Sequence, residues 1–330
     1  MNTLKLKNLL FILILFLPYL AQAQDKPAIR FDDKVRIVEA YRIAEKSADS
    51  IWQGWSKTPF VILLVDDNYE YLLGHTPLTD DFVSLGYDDI LKQEVYYRNR
   101  TFDKKLLATF PAIDGIPTIV IGLPENTGLN SVGWTITLLH EHFHQMQMSD
   151  PDYYTSVASL DLAKGDESGM WMINFPFPYN SAEAEQQLAV TNALLADLIA
   201  DYNEDKLNEY LKERSKLKEI FGEENYRYFS FQLWQEGIAR YTEMQVMEML
   251  NEGYTPTKAF QHLSDYQDVN NVIIYAFKEL QKTLREAKLS EYERVIFYSI
   301  GAGEGLLLDK VDPDWKKKYF TEKFYIENYY

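Results

Sequence analysis

Apolar and polar residues recur along this chain with two different periods, and the change falls near residue 130. Residues 31–52 carry Val35, Val38 and Tyr41 at helical spacing, which predicts an amphipathic helix. Short runs rich in β-branched and aromatic residues follow, separated by turn-forming residues, a pattern typical of strands. The first two runs flank an Asp-Asp-Asn turn and predict a hairpin. The predicted strands are residues 59–65, 69–74, 93–99 and 116–123.

The pattern after residue 130 is helical, with long amphipathic stretches. The sequence therefore predicts an α+β fold, in which a small N-terminal mixed sheet with a helix (residues 24–130) precedes a larger, mainly helical part (residues 131–330). The connection 150–180 is rich in Asp, Gly, Pro and aromatic residues, and long irregular segments of this kind are often functional loops. The predicted helices are residues 131–148, 181–202, 204–220, 227–250, 268–287 and 291–309.

The first residues of the chain have the composition of a secretory signal peptide. Lys5 and Lys7 precede an apolar run of about twelve residues that Pro18 interrupts, and the pattern Ala-Gln-Ala then ends at Ala23. That run is shorter than the roughly 20 residues needed to span a bilayer. We expect residues 1–23 to be cleaved as a signal peptide, which predicts a secreted or periplasmic protein with no stable membrane anchor after cleavage.

The overall composition narrows the range of partners. The 330 residues include 33 Lys and Arg against 50 Asp and Glu, a formal net charge of −17. Such a surface repels phosphate backbones, so we expect no nucleic-acid partner. A net charge of this size more often keeps a protein soluble than selects basic substrates. Because the chain has no cysteine, its stability depends on packing, with or without a metal, and not on disulfides.

Three of the five histidines lie within "TLLHEHFHQMQ", residues 137–147. On a strand, His140, His142 and His144 would share one face and suggest a His-x-His-x-His site of the lyase or oxygenase kind. On a helix, only His140 and His144 lie on one face, one turn apart. The apolar residues of this stretch recur at steps of three and four, which favours the helix and turns His142 away from the other two.

The helical interpretation yields the pattern H-E-x-x-H, with Glu141 next to the first histidine. Two neutral imidazoles four residues apart can bind one zinc ion, while the glutamate addresses a water on that ion. A third ligand is needed, and Glu236 in "LWQEGIARYTE" is the best candidate, because Gly237 beside it permits close approach of another helix. The ordinary alternatives are surface histidines and a solvated glutamate on a charged helix face.

At "HEHFHQ" and "WQEGIARYTE" the chain resembles the gluzincin zinc metallopeptidases, the clan that includes thermolysin-like enzymes and the zinc aminopeptidases. The resemblance implies a zincin-like domain in residues 131–330, with Zn²⁺ bound by His140, His144 and Glu236. It also implies Glu141 as the general base. That base would take a proton from the zinc-bound water as the water attacks a peptide carbonyl, and would later protonate the leaving amine.

The resemblance further implies a tyrosine or histidine that stabilises the oxyanion, and Tyr241, His262 and Tyr298 are the candidates. Tyr298 is favoured because it precedes "SIGAGEG", whose glycines allow its helix to pack closely against another. Thermolysin-like enzymes have an aspartate four residues after the glutamate ligand, where this chain has Arg240. Glu243 is the substitute candidate for the carboxylate that orients a ligand histidine.

Residues 115–128 precede the first histidine, where the resembled enzymes carry an edge strand that pairs with the substrate backbone. The sequence of this segment fits an edge strand and a buried central strand equally well. The function predicted overall is that of an exported zinc metallopeptidase acting on a peptide or protein substrate. The alternative is a non-catalytic peptide- or protein-binding module that retains a gluzincin-like fold. An intact Glu141 argues against that alternative, because a purely structural metal site needs no general base.

Overall fold

The structure is a computed structural model that describes residues 27–330. The predicted signal peptide, residues 1–23, lies outside the described residues. The strands are β1 (Ile62–Val65), β2 (Tyr69–Leu73), β3 (Val83–Asp88), β4 (Gln93–Asn99), β5 (Leu107–Ile113) and β6 (Ile116–Gly122). The helices are α1 (Phe31–Ile51), α2 (Pro124–Thr127), α3 (Ser131–Ser149), α4 (Tyr153–Ser159), α5 (Trp171–Asn174), α6 (Ala182–Ala200), α7 (Glu204–Gln232), α8 (Ile238–Asn251), α9 (Lys258–Gln261), α10 (Val269–Glu286), α11 (Leu289–Tyr292) and α12 (Ile296–Val311). Single 3₁₀ turns cover Trp55–Lys57, Glu293–Val295, Trp315–Lys317 and Ile326–Tyr329, and a π-helical turn covers Leu233–Gly237.

The sheet is mixed, with the strand order β3-β4-β2-β1-β6-β5. β1 pairs antiparallel with β2 as the predicted hairpin, and parallel with β6 on its other side. The segment 116–123 is therefore a central strand, and the edge strand at this end of the sheet is β5, which the sequence did not predict. β5 contains Pro111, and proline is tolerated at a sheet edge because no strand partner needs its missing N–H.

The helical part follows the predicted pattern closely, and the molecule is an α+β protein. α7 bends at Gly222, whose φ of 75° and ψ of 165° are not helical, at the place where the sequence predicted a break between two helices. α3 contacts β5 and β6 of the sheet and also packs against α1 and α8. Among residues 27–330, no helix has the length and apolar character needed to cross a membrane.

The largest hydrophobic core extends across residue 130. Trp52 directly follows α1, and Trp55 begins the next 3₁₀ turn. Both are buried with Phe143 of α3 and with Trp234 and Trp315 of the helical part. The rings of Trp52 and Phe143 lie 5.0 Å apart between centroids. α1 and α3 therefore share one core, which fixes the position of α3 against the C-terminal helices. The division into subdomains at residues 130 and 131 stays a prediction.

Candidate metal centre

The helix that carries the three histidines is well defined at both ends. The side chain of Asn130 accepts a hydrogen bond from the backbone N–H of Gly133 and caps the start of α3. The helix ends at Ser149, shortly before Pro151. Because α3 is surrounded by the sheet and by other helices, His140 and His144 are each only 5% exposed. They lie one helical turn apart on the same face, as the spacing predicts.

The structure brings together the three residues predicted as metal ligands. Nε2 of His140 and Nε2 of His144 lie 3.1 Å apart. Oε2 of Glu236 lies 3.7 Å from the first of these nitrogens and 3.4 Å from the second. Ligand atoms held about 2.0–2.1 Å from a tetrahedral zinc ion are separated by roughly 3.3–3.4 Å. Two imidazole nitrogens and one carboxylate oxygen at these separations fit a zinc ion.

Glu236 lies in the π-helical turn between α7 and α8. Such turns are rare and occur frequently at functional sites, because the extra residue changes the direction of the side chains. The turn packs against α12 at a pair of glycines: a Cβ atom added at Gly237 would lie 2.5 Å from Cα of Gly301. The predicted close approach of a second helix at Gly237 is confirmed. It brings the start of α12, and Tyr298 with it, next to Glu236.

The outer nitrogen of His144 faces two amides. Nδ1 lies 2.6 Å from Oε1 of Gln147 and 3.1 Å from Nε2 of Gln235. Gln147 is itself held in place, because its Nε2 donates to the carbonyl oxygen of Gln235 and to the hydroxyl of Tyr319. Gln147 Oε1 is the nearer of the two, and with it as acceptor the imidazole would carry its proton on Nδ1 and direct the lone pair of Nε2 into the site.

The outer nitrogen of His140 faces a carboxylate, as the sequence suggested. Nδ1 lies 3.3 Å from Oε1 of Glu243, and Nη1 of Arg240 lies 2.5 Å from the other oxygen of that carboxylate. Burial lowers the pKa of His140, but Glu243 and Glu236 raise it to about 10. Although burial opposes the shift, His144 and His140 hold the pKa of Glu236 well below its usual range. The carboxylates of Glu243 and Glu236 therefore favour positive charge on the imidazole of His140.

Glu141 is buried and lies against the edge strand. The hydroxyl of Thr109 in β5 is 2.8 Å from Oε2 of Glu141 and 3.0 Å from its backbone oxygen. Sequence reasoning missed this contact, because β5 was not predicted and a pairing of residues 32 positions apart leaves no local pattern. Thr109 thus fixes the carboxylate of the candidate general base at the edge of the sheet.

Of the three candidate oxyanion donors, only Tyr298 reaches the site. Its ring lies parallel to that of His140, at an angle of 8° and with 6.3 Å between centroids. Tyr241 is instead a core residue that donates to Oδ2 of Asp309 at 2.7 Å. His262 is exposed at the end of α9.

His142 is separated from the other two histidines by the helix itself. It stacks on Phe60, with ring centroids 3.9 Å apart and an angle of 2°, and lies 5.4 Å from Trp55 on a second side. Its Nδ1 is 2.9 Å from Oε1 of Gln145. Burial lowers the pKa of His142 to about 4. His142 is a neutral packing residue, and the strand-borne His-x-His-x-His alternative is wrong.

No family model matches this chain, and comparisons with curated proteins and with solved structures likewise found no match. Any functional conclusion therefore depends on the residues of the site and on their geometry.

Proposed function

We propose that this protein is a zinc-dependent metallopeptidase of the gluzincin type. The observation that carries the proposal is the convergence of His140, His144 and Glu236, whose ligand atoms all lie within 4.8 Å of one another. The donor set, two imidazoles and one carboxylate, is that of a catalytic zinc site with an open position. The proposal that the enzyme is exported to the periplasm or secreted depends on the sequence of residues 1–23 alone.

The remaining polar residues of the site match the needs of amide hydrolysis. Bound zinc would polarise the substrate carbonyl and increase the acidity of a water molecule. Glu141, held by Thr109, takes a proton from the attacking water and transfers it to the leaving amine nitrogen. Tyr298 donates a hydrogen bond to the oxygen of the former carbonyl, on which negative charge develops. The products are a carboxylic acid and an amine.

The position of the sheet supports a peptide as the substrate class. β5 pairs only with β6 within the described chain, so one side of its backbone has no strand partner. An extended peptide can add to such an edge through main-chain hydrogen bonds. Because Thr109 of β5 contacts Glu141, a peptide bound along this edge would pass close to the candidate general base.

The test of this proposal is the substitution Glu141→Gln, which preserves size and hydrogen bonding but removes the base. We expect the variant to keep its zinc while hydrolysis of a mixed peptide library falls by roughly 10² or more. The matched control is Glu45→Gln, on the exposed face of α1, which should behave as the wild type. Zinc content is measured in the same samples by elemental analysis.

Two other outcomes would contradict parts of this proposal. A wild type that carries full zinc and cleaves nothing would favour the non-catalytic peptide- or protein-binding module. Equal cleavage by the wild type and by Glu141→Gln would show that Glu141 is not the base.

A further inference from the structure

Arg294 is a partly buried cation that the mechanism above does not use. It lies in the 3₁₀ turn Glu293–Val295, directly before α12, and its side chain is 21% exposed. Its Nη1 is 2.8 Å from the hydroxyl of Tyr298 and 3.7 Å from Oε1 of Glu236. A single guanidinium therefore contacts both the third candidate ligand and the candidate oxyanion donor.

The two oxygens of Glu236 have different neighbours. Oε2 faces the Nε2 atoms of His140 and His144, whereas Oε1 faces Arg294. A carboxylate can rotate about its last bond, and both oxygens are then equivalent as ligands. The guanidinium opposes this rotation by attracting one oxygen away from the histidines, so that Glu236 presents a single oxygen to the site.

The contact with Tyr298 fixes the direction of a proton. Arg294 has only donor groups, so the phenolic oxygen must accept this hydrogen bond. The proton of the hydroxyl is then directed away from the guanidinium. Glu236 is a hydrogen-bond partner of this hydroxyl, and a substrate oxygen would replace it as the acceptor. The guanidinium carbon also lies 5.3 Å from the ring centroid of Tyr298, within the range of a cation–π contact.

The backbone around Arg294 is held in an unusual conformation. The preceding residue, Glu293, has a φ of 46° and a ψ of −133°, a region that non-glycine residues adopt only when the surrounding structure imposes it. On the other side, Nη1 of Arg294 lies 3.5 Å from Oε1 of Gln232 in α7. Strained backbone of this kind is concentrated at functional sites. Here the conformation of Glu293 determines the position from which the side chain of Arg294 reaches Glu236.

We propose that Arg294 is a positioning residue that holds Glu236 and Tyr298 in the orientations required for zinc binding and for stabilisation of the oxyanion. The inference rests on the proposed function and assigns a role within that same site. It predicts an effect on zinc affinity, which does not depend on catalysis, and an effect on turnover that passes through Tyr298.

The test compares Arg294→Ala, Arg294→Lys, Tyr298→Phe and the double variant Arg294→Ala/Tyr298→Phe. The matched control is Arg285→Ala, because Arg285 pairs with Asp197 on the surface. Zinc alone is the ligand in the first measurement, a competition against a chromophoric chelator. We expect the Kd for zinc to rise by about 10-fold or more in Arg294→Ala, the usual effect of losing a residue that orients a ligand. Arg294→Lys should restore part of the affinity, and the control should match the wild type.

The second measurement is a double-mutant cycle on turnover. With zinc at saturating concentration, we expect Arg294→Ala to lower kcat more than it raises KM, and to add little further loss when Tyr298 is already phenylalanine. Fully additive effects would overturn the proposal.

The zinc measurement keeps this inference separate from the proposed function. An unchanged Kd in a folded Arg294→Ala variant overturns the role of Arg294, whether or not the wild type cleaves peptides. If that variant does not fold, Arg294→Lys takes its place in both measurements. We expect its Kd for zinc to lie above that of the wild type and its coupling to Tyr298 to be weaker, so wild-type values of both would overturn the role of Arg294. A zinc-binding wild type that hydrolyses nothing refutes the peptidase proposal, and the Kd values then decide on Arg294 alone.

Discussion

At the scale of single residues, three histidines within five positions have two separate roles. His140 and His144 direct their Nε2 atoms toward each other and toward Glu236. His142 lies between Phe60 and Trp55. Burial lowers the affinity of His142 for protons, whereas the carboxylates around His140 raise that of His140. One histidine thus serves as a packing residue, and the other two belong to a polar site.

The first residue-scale prediction concerns His144. Replacing it by alanine leaves two of three ligand residues, and two ligands rarely retain an ion. We expect the purified wild type to contain about one zinc per chain and His144→Ala to contain almost none, as measured by elemental analysis. Full zinc occupancy in the variant would mean that the ion is bound elsewhere.

The second residue-scale prediction concerns His142, on the opposite side of the same helix. His142→Ala should keep its zinc, because the ligand atoms are untouched. It should lose about 2 kcal/mol or more of unfolding free energy in urea titrations, since the substitution leaves a cavity against Phe60 and Trp55. Loss of zinc without loss of stability is the opposite result and would contradict the assignment of His142 as a packing residue.

At the scale of elements, the sequence was informative wherever the pattern was local. The spacing of the apolar residues around "HEHFH" predicts the helix, and helical geometry selects the two histidines that lie beside Glu236. The glycine beside Glu236 predicts the close helix contact. The π-helical turn at Leu233–Gly237 was not predicted, because the apolar pattern of this stretch is that of an ordinary helix and carries no local signal for an extra residue per turn. β5 was missed because Pro111 interrupts its pattern. Arg294 lies four residues before Tyr298, but nothing local connects either of them to Glu236.

The element-scale prediction tests the contact that places Tyr298. A Cβ atom at Gly301 would lie 2.6 Å from Cα of Gly237 and 2.7 Å from the backbone oxygen of Leu233. Neither backbone can move without separating the helices, so Gly301→Ala should cost about 1–3 kcal/mol of stability and reduce both zinc affinity and turnover. Thermal unfolding and chelator competition measure these effects.

Gly303→Ala is the matched control on the same helix. Its added Cβ would meet the side-chain end of Leu195 at 2.9 Å, and a side-chain end can shift. We therefore expect a smaller loss of stability and an unchanged zinc affinity. Equal effects of the two substitutions would show that the glycine pair has no special role at the site.

At the scale of the whole molecule, the candidate metal centre lies where the sheet, α3 and the C-terminal helices meet. Thr109 comes from the sheet edge, His140 and His144 from the central helix, and Glu236 from the π-helical turn. The predicted α+β class is confirmed. The shared core around Trp52 and Phe143 could not be predicted, because it joins residues far apart in the sequence.

Bound zinc should therefore stabilise the whole fold, since it joins α3 to the π-helical turn. Metal present at 1,000 times its Kd adds about 4 kcal/mol to the stability of a protein that binds it only when folded. We expect a chelator to lower the Tm and added zinc to restore it, in calorimetric scans. The Tm of Glu236→Ala should respond to neither treatment, and a zinc-dependent rise in that variant would contradict the ligand assignment.

The central claim is that one zinc ion is bound by His140, His144 and Glu236. Crystals of the purified protein, measured on both sides of the zinc absorption edge, test it most directly. We predict one anomalous peak that disappears below the edge, about 2.0–2.2 Å from Nε2 of each histidine and from a carboxylate oxygen of Glu236. No peak at this position, or a peak at His142 instead, would contradict the assignment of these residues as a zinc site.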